Sequence, residues 1–170
     1  MIKFINIPRT SPYLIFKEKY DQALEAGQKN IEAVSISSYN SETGEVDSRF
    51  VNLKFIDGND FIFFSNYKSP KSIAFESHDQ IAALFYWSSI NIQIRIKATI
   101  NKTSLDFNKK YFRTRSHNKN ALSISSNQSS AIAEFDDVIE KYNSVKENKD
   151  LSQCPDYWGG FFFQPYEIEF

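Results

Sequence analysis

The chain has 170 residues, which is enough for one domain with a sizeable core and short for two. Apolar residues make up 41% of it, including 16 Phe and 9 Tyr, and this composition argues against a disordered chain. Lysine and arginine number 20, and aspartate and glutamate number 21. The net charge of -1 therefore gives no overall basic field of the kind that favours nucleic-acid binding.

The single cysteine, Cys154, can form no disulfide within the chain and fits no zinc-binding pattern, so a reducing compartment is expected. The first ten residues lack the apolar stretch of a signal peptide, and no run approaches the ~20 apolar residues of a membrane span. We therefore expect one cytoplasmic domain over residues 1–170, without a membrane partner.

The first half of the chain predicts one helix followed by three strands. Apolar residues recur at helical spacing from Tyr13 to Leu24, and Gly27 is a helix stop. From Ile31 the period changes to that of a half-buried strand, EAVSISSY, followed by the turn cluster NSETGE. A second strand, DSRFVNLKFI, leads through a DGND hairpin turn into a third, DFIFFSN.

The second half alternates strands and helices. SPKSIAFES predicts a short helix capped by Ser69, with Pro70 at its first position. IAALFYW and NIQIRIKATI predict two more strands, the second with isoleucines on one face and polar side chains on the other. SLDFNKKYFRTR is helical in pattern, and SHNKNALSISSNQSS predicts a loop with room for a short helix. An amphipathic helix from Ile132 to Val145, a charged linker, KENKDLSQCPD, and a last strand region, YWGGFFFQPYEIEF, follow.

Strands in hairpins, with helices inserted late, predict a mainly β, α+β fold. The expected architecture is an antiparallel sheet closed into a barrel, with helices at its edges. No internal repeat or domain boundary interrupts the pattern.

Arg49 and Lys54 bracket the apolar part of the second strand with two positive charges. Their odd separation places them on opposite faces of an ideal strand. One ligand can meet both only if a bulge intervenes or if the ligand wraps around the strand. A surface edge with solvated charges is the alternative, and spacing alone favours it.

The segment SNYKSPKS has the features of a phosphate site at a helix N-terminus, where backbone N–H groups are unpaired. Lys71 in the first turn opposes the helix dipole unless an anion is bound there. The hydroxyl groups of Ser65 and Ser72 could add donors. An ordinary capped helix with a solvated lysine is the alternative.

Two further groups of polar residues are candidates for ligand binding. Gln93 and Arg95 lie on the polar face of the isoleucine strand, and an amide suits the edge of a heterocycle. Tyr111 and Arg115 are four residues apart on a predicted helix, and Lys119 would complete an anion pocket if that helix continued. Solvated sheet and helix faces are the alternatives.

Neither histidine has metal-ligand spacing, so no metal site is predicted. His78 and His117 are each isolated in the sequence. Nucleotide-binding glycine motifs, a G-x-S-x-G elbow and an H-E-x-x-H pair do not occur, so catalytic residues remain unassigned.

Taken in order, these segments resemble the pyridoxamine 5'-phosphate oxidase family, from about Pro12 to Phe170. The matching segments are RFVNLK at 49–54, FSNY at 64–67, SPK at 69–71, the tryptophan, glutamine and arginine at 87, 93 and 95, YFRTR at 111–115, QS at 128–129 and WGG at 158–160. The chain departs from the family pattern with Asn52 in place of a leucine, Pro70 and Ile92 in place of arginines, and Lys119 in place of a serine.

The resemblance implies a split β-barrel that binds FMN, as a homodimer whose subunits share each site. Arg49, Ser65 and Lys71 would meet the FMN phosphate, so that Arg49 and Lys54 would hold opposite ends of one long cofactor. The other implied cofactor residues are Phe50, Val51, Asn52, Leu53, Phe64 and Gln93, with Gln128 and Ser129 of the partner subunit. The implied site for a small phosphorylated substrate comprises Lys54, Tyr111 and Arg115, with Lys119 beside them.

The implied activity is FMN-dependent oxidation of pyridoxamine or pyridoxine 5'-phosphate, with a hydride passing from substrate to FMN and the electrons then passing to oxygen. The sequence ends at Phe170, before a tryptophan, an R-x-H pair and an arginine that complete the family's sites. FMN binding is therefore expected more firmly than oxidation of a vitamin B6 phosphate. An FMN-dependent reductase of another substrate, a non-catalytic flavin- or B6-phosphate-binding module, and a barrel without a ligand are the alternatives.

Overall fold

A computed structural model describes residues 1–126 and 134–170. Its strands are β1 (Lys3–Ile5), β2 (Ala33–Asn40), β3 (Glu45–Asp57), β4 (Asp60–Asn66), β5 (Gln80–Trp87), β6 (Ile92–Lys102) and β7 (Trp158–Glu169). Its helices are α1 (Ser11–Glu25), α2 (Pro70–Ser77), α3 (Leu105–Thr114), α4 (His117–Ser125) and α5 (Phe135–Asn148). No helix within the described ranges is long and apolar enough to cross a membrane.

Six antiparallel strands close into a barrel in the order β3-β2-β5-β6-β7-β4, and β4 returns to pair with β3. This arrangement confirms the predicted antiparallel split barrel. β1 adds a short parallel pairing to the end of β3, at Phe55 to Asp57. The sequence did not predict β1, because three residues are too few to show a strand period.

The barrel interior is built from the alternating residues that the strand patterns predict. Along β5 every second side chain is buried, ending in Trp87, whose indole N–H donates to the Ile31 carbonyl at 3.1 Å. Phe16 of α1 covers the barrel and meets Phe61 and Phe85 edge-on, with ring centroids 5.3 Å apart in both pairs. Edge-to-face aromatic pairs add to the free energy gained by burial, so α1 is fixed to the barrel by its apolar face.

β3 contains a bulge at Lys54. Leu53 pairs with Phe63, but Phe55 pairs with Ile62, so Lys54 is an extra residue without a partner in β4. A bulge bends the strand and redirects the side chains on either side of it.

The structure corrects the predicted cap of α2, and α3 ends within one residue of the predicted helix end at Arg115. Ser69 precedes α2, but its hydroxyl donates to the Asn66 carbonyl at 2.7 Å and does not cap the helix. α3 ends at Thr114, and the extended backbone of Arg115 (ψ 154°) turns the chain into α4. The helix that would have carried Lys119 onto the same face as Arg115 is therefore interrupted.

The segment predicted as a loop with room for a short helix contains such a helix, α4, and residues 127–130 of that segment lie outside the described residues. The predicted helix from Ile132 lies partly outside the described residues, and its described part, α5, runs to Asn148 and takes in the start of the predicted linker. Val145 of α5 packs against α4, whereas Phe135 at the other end of α5 is 70% exposed.

A buried polar network ties α3 to β7. Asn108 accepts a hydrogen bond from the Gly160 N–H at 2.8 Å and donates to the Tyr67 hydroxyl at 2.9 Å. Tyr67 in turn donates to the Gly160 carbonyl at 3.0 Å, and Thr103 donates to Asn108 at 2.6 Å. A Cβ added to Gly159 would overlap the side chains of Tyr67 and Asn108. The two glycines therefore allow α3 to approach the barrel wall closely.

Candidate functional site

A cleft of about 760 Å³ lies beside the outer face of β3, between the start of α2 and the junction of α3 with α4. Its volume falls within the range of roughly 300–1,000 Å³ that is usual for ligand sites. The basic side chains that line it are Lys3, Lys54, Lys71, Arg115 and Lys119. Among the described lining residues, Glu32 is the one carboxylate, so the cleft is strongly cationic and suits an anionic ligand.

Lys54 is one of these basic side chains. Its Nζ is 3.9 Å from Oε1 of Glu32, and the β2–β3 pairing continues here, with the Leu53 N–H donating to the Glu32 carbonyl at 2.8 Å. Burial lowers the pKa of Lys54; Glu32 opposes this shift, while Lys119 and Arg115 add to it. A bound anion would relieve the repulsion among these three cations.

Lys71 marks the other end of the cleft, in the first turn of α2. Its Nζ donates to Ser69 Oγ at 3.0 Å, and within the described chain it forms no ion pair. Burial lowers the pKa of Lys71, and the nearby Arg49 lowers it further. Ser65, only 5% exposed, lines the same end of the cleft. A half-buried lysine beside a helix N-terminus is well placed to bind a phosphate.

An aromatic wall joins the two ends. The ring of Phe64 stacks on Tyr111, with centroids 4.0 Å apart, and on Trp158, at 5.0 Å. The Arg115 guanidinium lies 4.5 Å from the Trp158 ring centroid. Arg115 also donates to Ser123 Oγ at 3.0 Å, and these contacts hold its planar group in place. The cleft thus combines fixed cations with flat apolar rings, as a planar phosphorylated ligand requires.

Most of the predicted site residues come together in this cleft. The predicted cofactor residues that line it are residues 50–52, Lys54, Phe64, Ser65 and Lys71. The predicted substrate residues Tyr111, Arg115 and Lys119 line it as well, although two helices rather than one supply them.

Other predicted residues lie elsewhere. Leu53 is fully buried in the core, and its N–H is already bonded to Glu32. Gln93 is exposed on the outward face of β6, opposite Tyr86. Gln128 and Ser129 fall outside the described residues.

Arg49 does not line the cleft. It lines a second cavity of about 460 Å³, together with Ser38, Asp47 and Pro70. Arg49 and Lys54 therefore line different cavities, as their odd separation predicts for opposite faces of β3. The two cavities adjoin at the start of α2, where Pro70 lines one and Lys71 the other.

Sequence reasoning missed several lining residues. Trp158 was recognised only as part of the WGG segment, and Glu32 and Ser123 were not singled out. For Glu32 a signal was present, because extending the β2–β3 hairpin register by one residue places it beside Leu53. Within residues 1–126 and 134–170, no three His, Cys, Asp or Glu side chains are grouped to hold a metal ion.

Known proteins resemble this chain in sequence and in fold. No family model matches the chain. The pyridoxine/pyridoxamine 5'-phosphate oxidase of Colwellia psychrerythraea (strain 34H / ATCC BAA-681) is 34% identical over 163 residues, which cover 95% of this chain and 75% of that protein.

Two solved structures share the fold. PhzG from Burkholderia lata 383, in complex with tetrahydrophenazine-1-carboxylic acid, aligns with a TM-score of 0.87 at 23% identity, covering 95% of this chain and 80% of its own. A pyridoxamine 5'-phosphate oxidase-related, FMN-binding protein from Nostoc punctiforme PCC 73102 aligns with a TM-score of 0.74 at 12% identity, covering 95% and 84%.

Proposed function

The chain belongs to the pyridoxine/pyridoxamine 5'-phosphate oxidase family, and on that basis we propose that its cleft binds FMN and a small phosphorylated substrate. The curated relatives are named as oxidases, so the protein is an oxidoreductase at the level of its family. The observation that carries the proposal is the cationic cleft, which has separate groups of positive charge at its two ends and an aromatic wall between them.

The α2 end of the cleft is the proposed site of the FMN phosphate. Lys71 supplies a charge without a carboxylate partner among the described residues, and Ser65 supplies a hydroxyl. Arg49 approaches the same helix from the second cavity. The exposed edge of β3 at residues 50–52, with Lys54, is the proposed support for the flavin ring.

The α3–α4 end is the proposed site of the substrate phosphate, where Lys54, Arg115 and Lys119 converge. Arg115 presents a guanidinium already oriented by Trp158 and Ser123, and Lys119 adds a point charge. Bound FMN would supply two-electron chemistry, taking a hydride from the substrate carbon and passing the electrons to oxygen. The role of the protein residues is to bind both phosphates and to fix the reacting groups against each other.

The outward face of the barrel supports a homodimer. Phe50, Ser35 and Leu84 form one row across β3, β2 and β5, and Tyr86 follows on β5 opposite Gln93. Phe50 is 76% exposed and Tyr86 61%, which is unusual for such large apolar side chains. A second copy docked on this face would cover them, and it would bring Gln93 towards the partner's cleft.

Replacing Tyr86 with glutamate is expected to shift the protein from dimer to monomer, because a charge would be buried at the interface. FMN binding would weaken with it if the subunits share each site. The matched control is Leu105→Glu, at a 65% exposed position on α3 away from this face. Sedimentation velocity measures both variants; a wild-type protein that sediments only as a monomer would contradict the shared site.

Enzymatic activity is tested by incubating the FMN-loaded protein with pyridoxamine 5'-phosphate in air and measuring pyridoxal 5'-phosphate. Formation of the aldehyde with consumption of oxygen supports the oxidase. If FMN binds but no aldehyde forms, the vitamin B6 substrate is wrong. Oxidation of a reduced nicotinamide would then favour a reductase, and no turnover with any donor would favour a binding module.

The pH dependence of FMN binding follows from Lys71, the lysine at the proposed FMN phosphate site. Burial lowers the pKa of Lys71, and only the protonated amine pairs with phosphate. FMN affinity is therefore expected to fall as the pH rises through this lowered pKa. FMN affinity also falls below about pH 6, where the phosphate dianion takes up a proton and loses one negative charge. Riboflavin, which lacks the phosphate, is the control, and an equal pH profile for the two ligands would contradict the assignment.

A further inference from the structure

The guanidinium of Arg49 is already occupied by the chain itself. It forms an ion pair with the Asp47 carboxylate, donates to Ser38 Oγ at 2.8 Å and approaches the Ile36 carbonyl at 3.4 Å. The Arg49 side chain is only 19% exposed, whereas that of Asp47 is 66% exposed. Asp47 is thus a carboxylate in contact with water, paired with a cation that is itself largely enclosed.

Asp47 also influences the lysine at the phosphate end of the cleft. Burial and the nearby Arg49 lower the pKa of Lys71, whereas Asp47 acts on it in the opposite direction. The Arg49 hydrogen bond in turn holds the pKa of Asp47 below its usual value, so Asp47 is charged at neutral pH. The carboxylate therefore supplies, from within the chain, part of the negative charge that a phosphate would bring.

We propose that Asp47 competes with the ligand phosphate for Arg49 and so sets the affinity of the cleft for phosphorylated ligands; this inference rests on the proposed FMN site. In the ligand-free chain, the ion pair with Asp47 keeps the Arg49 guanidinium at the second cavity. A phosphate bound at Lys71 replaces that carboxylate as the partner of Arg49, and the exposed Asp47 side chain moves into water. The ion pair with Asp47 has to be broken for this exchange, so it weakens binding.

Replacing Asp47 with asparagine is expected to tighten FMN binding about three- to tenfold. This range reflects the modest energy of an ion pair open to solvent, together with the removal of a like charge near the phosphate. Riboflavin affinity should stay the same, because riboflavin carries no phosphate. Asp106→Asn is the matched control: it removes an equal charge from an exposed pair with Lys110 on α3 and should leave both affinities unchanged.

Repeating the substitution in an Arg49→Gln background tests whether Asp47 acts through Arg49. The gain from Asp47→Asn should largely disappear there, because its target is gone. Equal FMN binding by wild type and Asp47→Asn would overturn the competition and leave the FMN site standing. Weaker binding by Asp47→Asn, or an equal gain for riboflavin, would also overturn it. Failure of both proteins to bind FMN would overturn the FMN site and the competition together.

Discussion

Replacing Lys71 with alanine is expected to weaken FMN binding roughly 10- to 100-fold. A hydrogen bond to a charged group contributes about 1.5–3 kcal/mol, and each 1.4 kcal/mol is a tenfold change in affinity. Lys71 has no ion-pair partner within the described residues, so its whole charge is available to a ligand. The partial burial of Lys71 in the first turn of α2 also reduces the screening of that charge by water.

Titration of flavin fluorescence measures this loss, and two controls locate it. Lys68→Ala removes an exposed lysine from the loop that precedes α2. Lys68 lies over the Tyr157 ring and does not line the cleft, so its loss should change FMN affinity less than twofold. Riboflavin should bind wild type and Lys71→Ala equally. If Lys71→Ala binds FMN as tightly as wild type, the phosphate does not lie at the start of α2.

Replacing Gly159 with alanine is expected to destabilise the fold by about 2–3 kcal/mol, because overpacking a close contact costs that much and the buried network has to shift. The new methyl group would overlap the Tyr67 hydroxyl and the Asn108 amide, and Asn108 is only 1% exposed. For a chain of this size, the midpoint of thermal unfolding should fall by about 4–12 °C.

A second glycine and a double-mutant cycle separate overlap from backbone strain. Gly44 has a φ of +74° and open space around the position of a Cβ, so Gly44→Ala should cost only about 1 kcal/mol. Tyr67→Phe removes the nearest overlapping atom, so it should cost less in the Gly159→Ala background than in wild type. Additive effects of Gly159→Ala and Tyr67→Phe would contradict the overlap.

The barrel could be predicted from sequence because its strands alternate apolar and polar residues and several are joined by short turns. β6 alternates isoleucine with polar residues, and the DGND turn pairs Asp57 with Asp60 at the end of β3 and β4. The ends of helices were harder to predict. Ser69 precedes α2 without capping it, because its hydroxyl donates to the Asn66 carbonyl, a contact that no local pattern marks.

The site could be predicted less completely, because it depends on contacts between distant segments. Family motifs identified Lys54, Lys71 and Arg115, and the structure places all three in one cleft. The position of Glu32 near Lys54 follows from strand register rather than from any motif. Arg49 and Asp47 are only two residues apart, so their ion pair is a local contact. That both residues line the second cavity and not the cleft follows only from the folded structure.

The central claim is that this cleft binds FMN through its phosphate. The most direct test is to titrate FMN and riboflavin separately into the purified protein and to follow the quenching of flavin fluorescence. We predict saturable binding of one FMN per chain, at least about 100-fold tighter than riboflavin, as expected when a phosphate dianion meets fixed cations. Absence of saturable FMN binding, or equal affinity for the two flavins, would contradict the account.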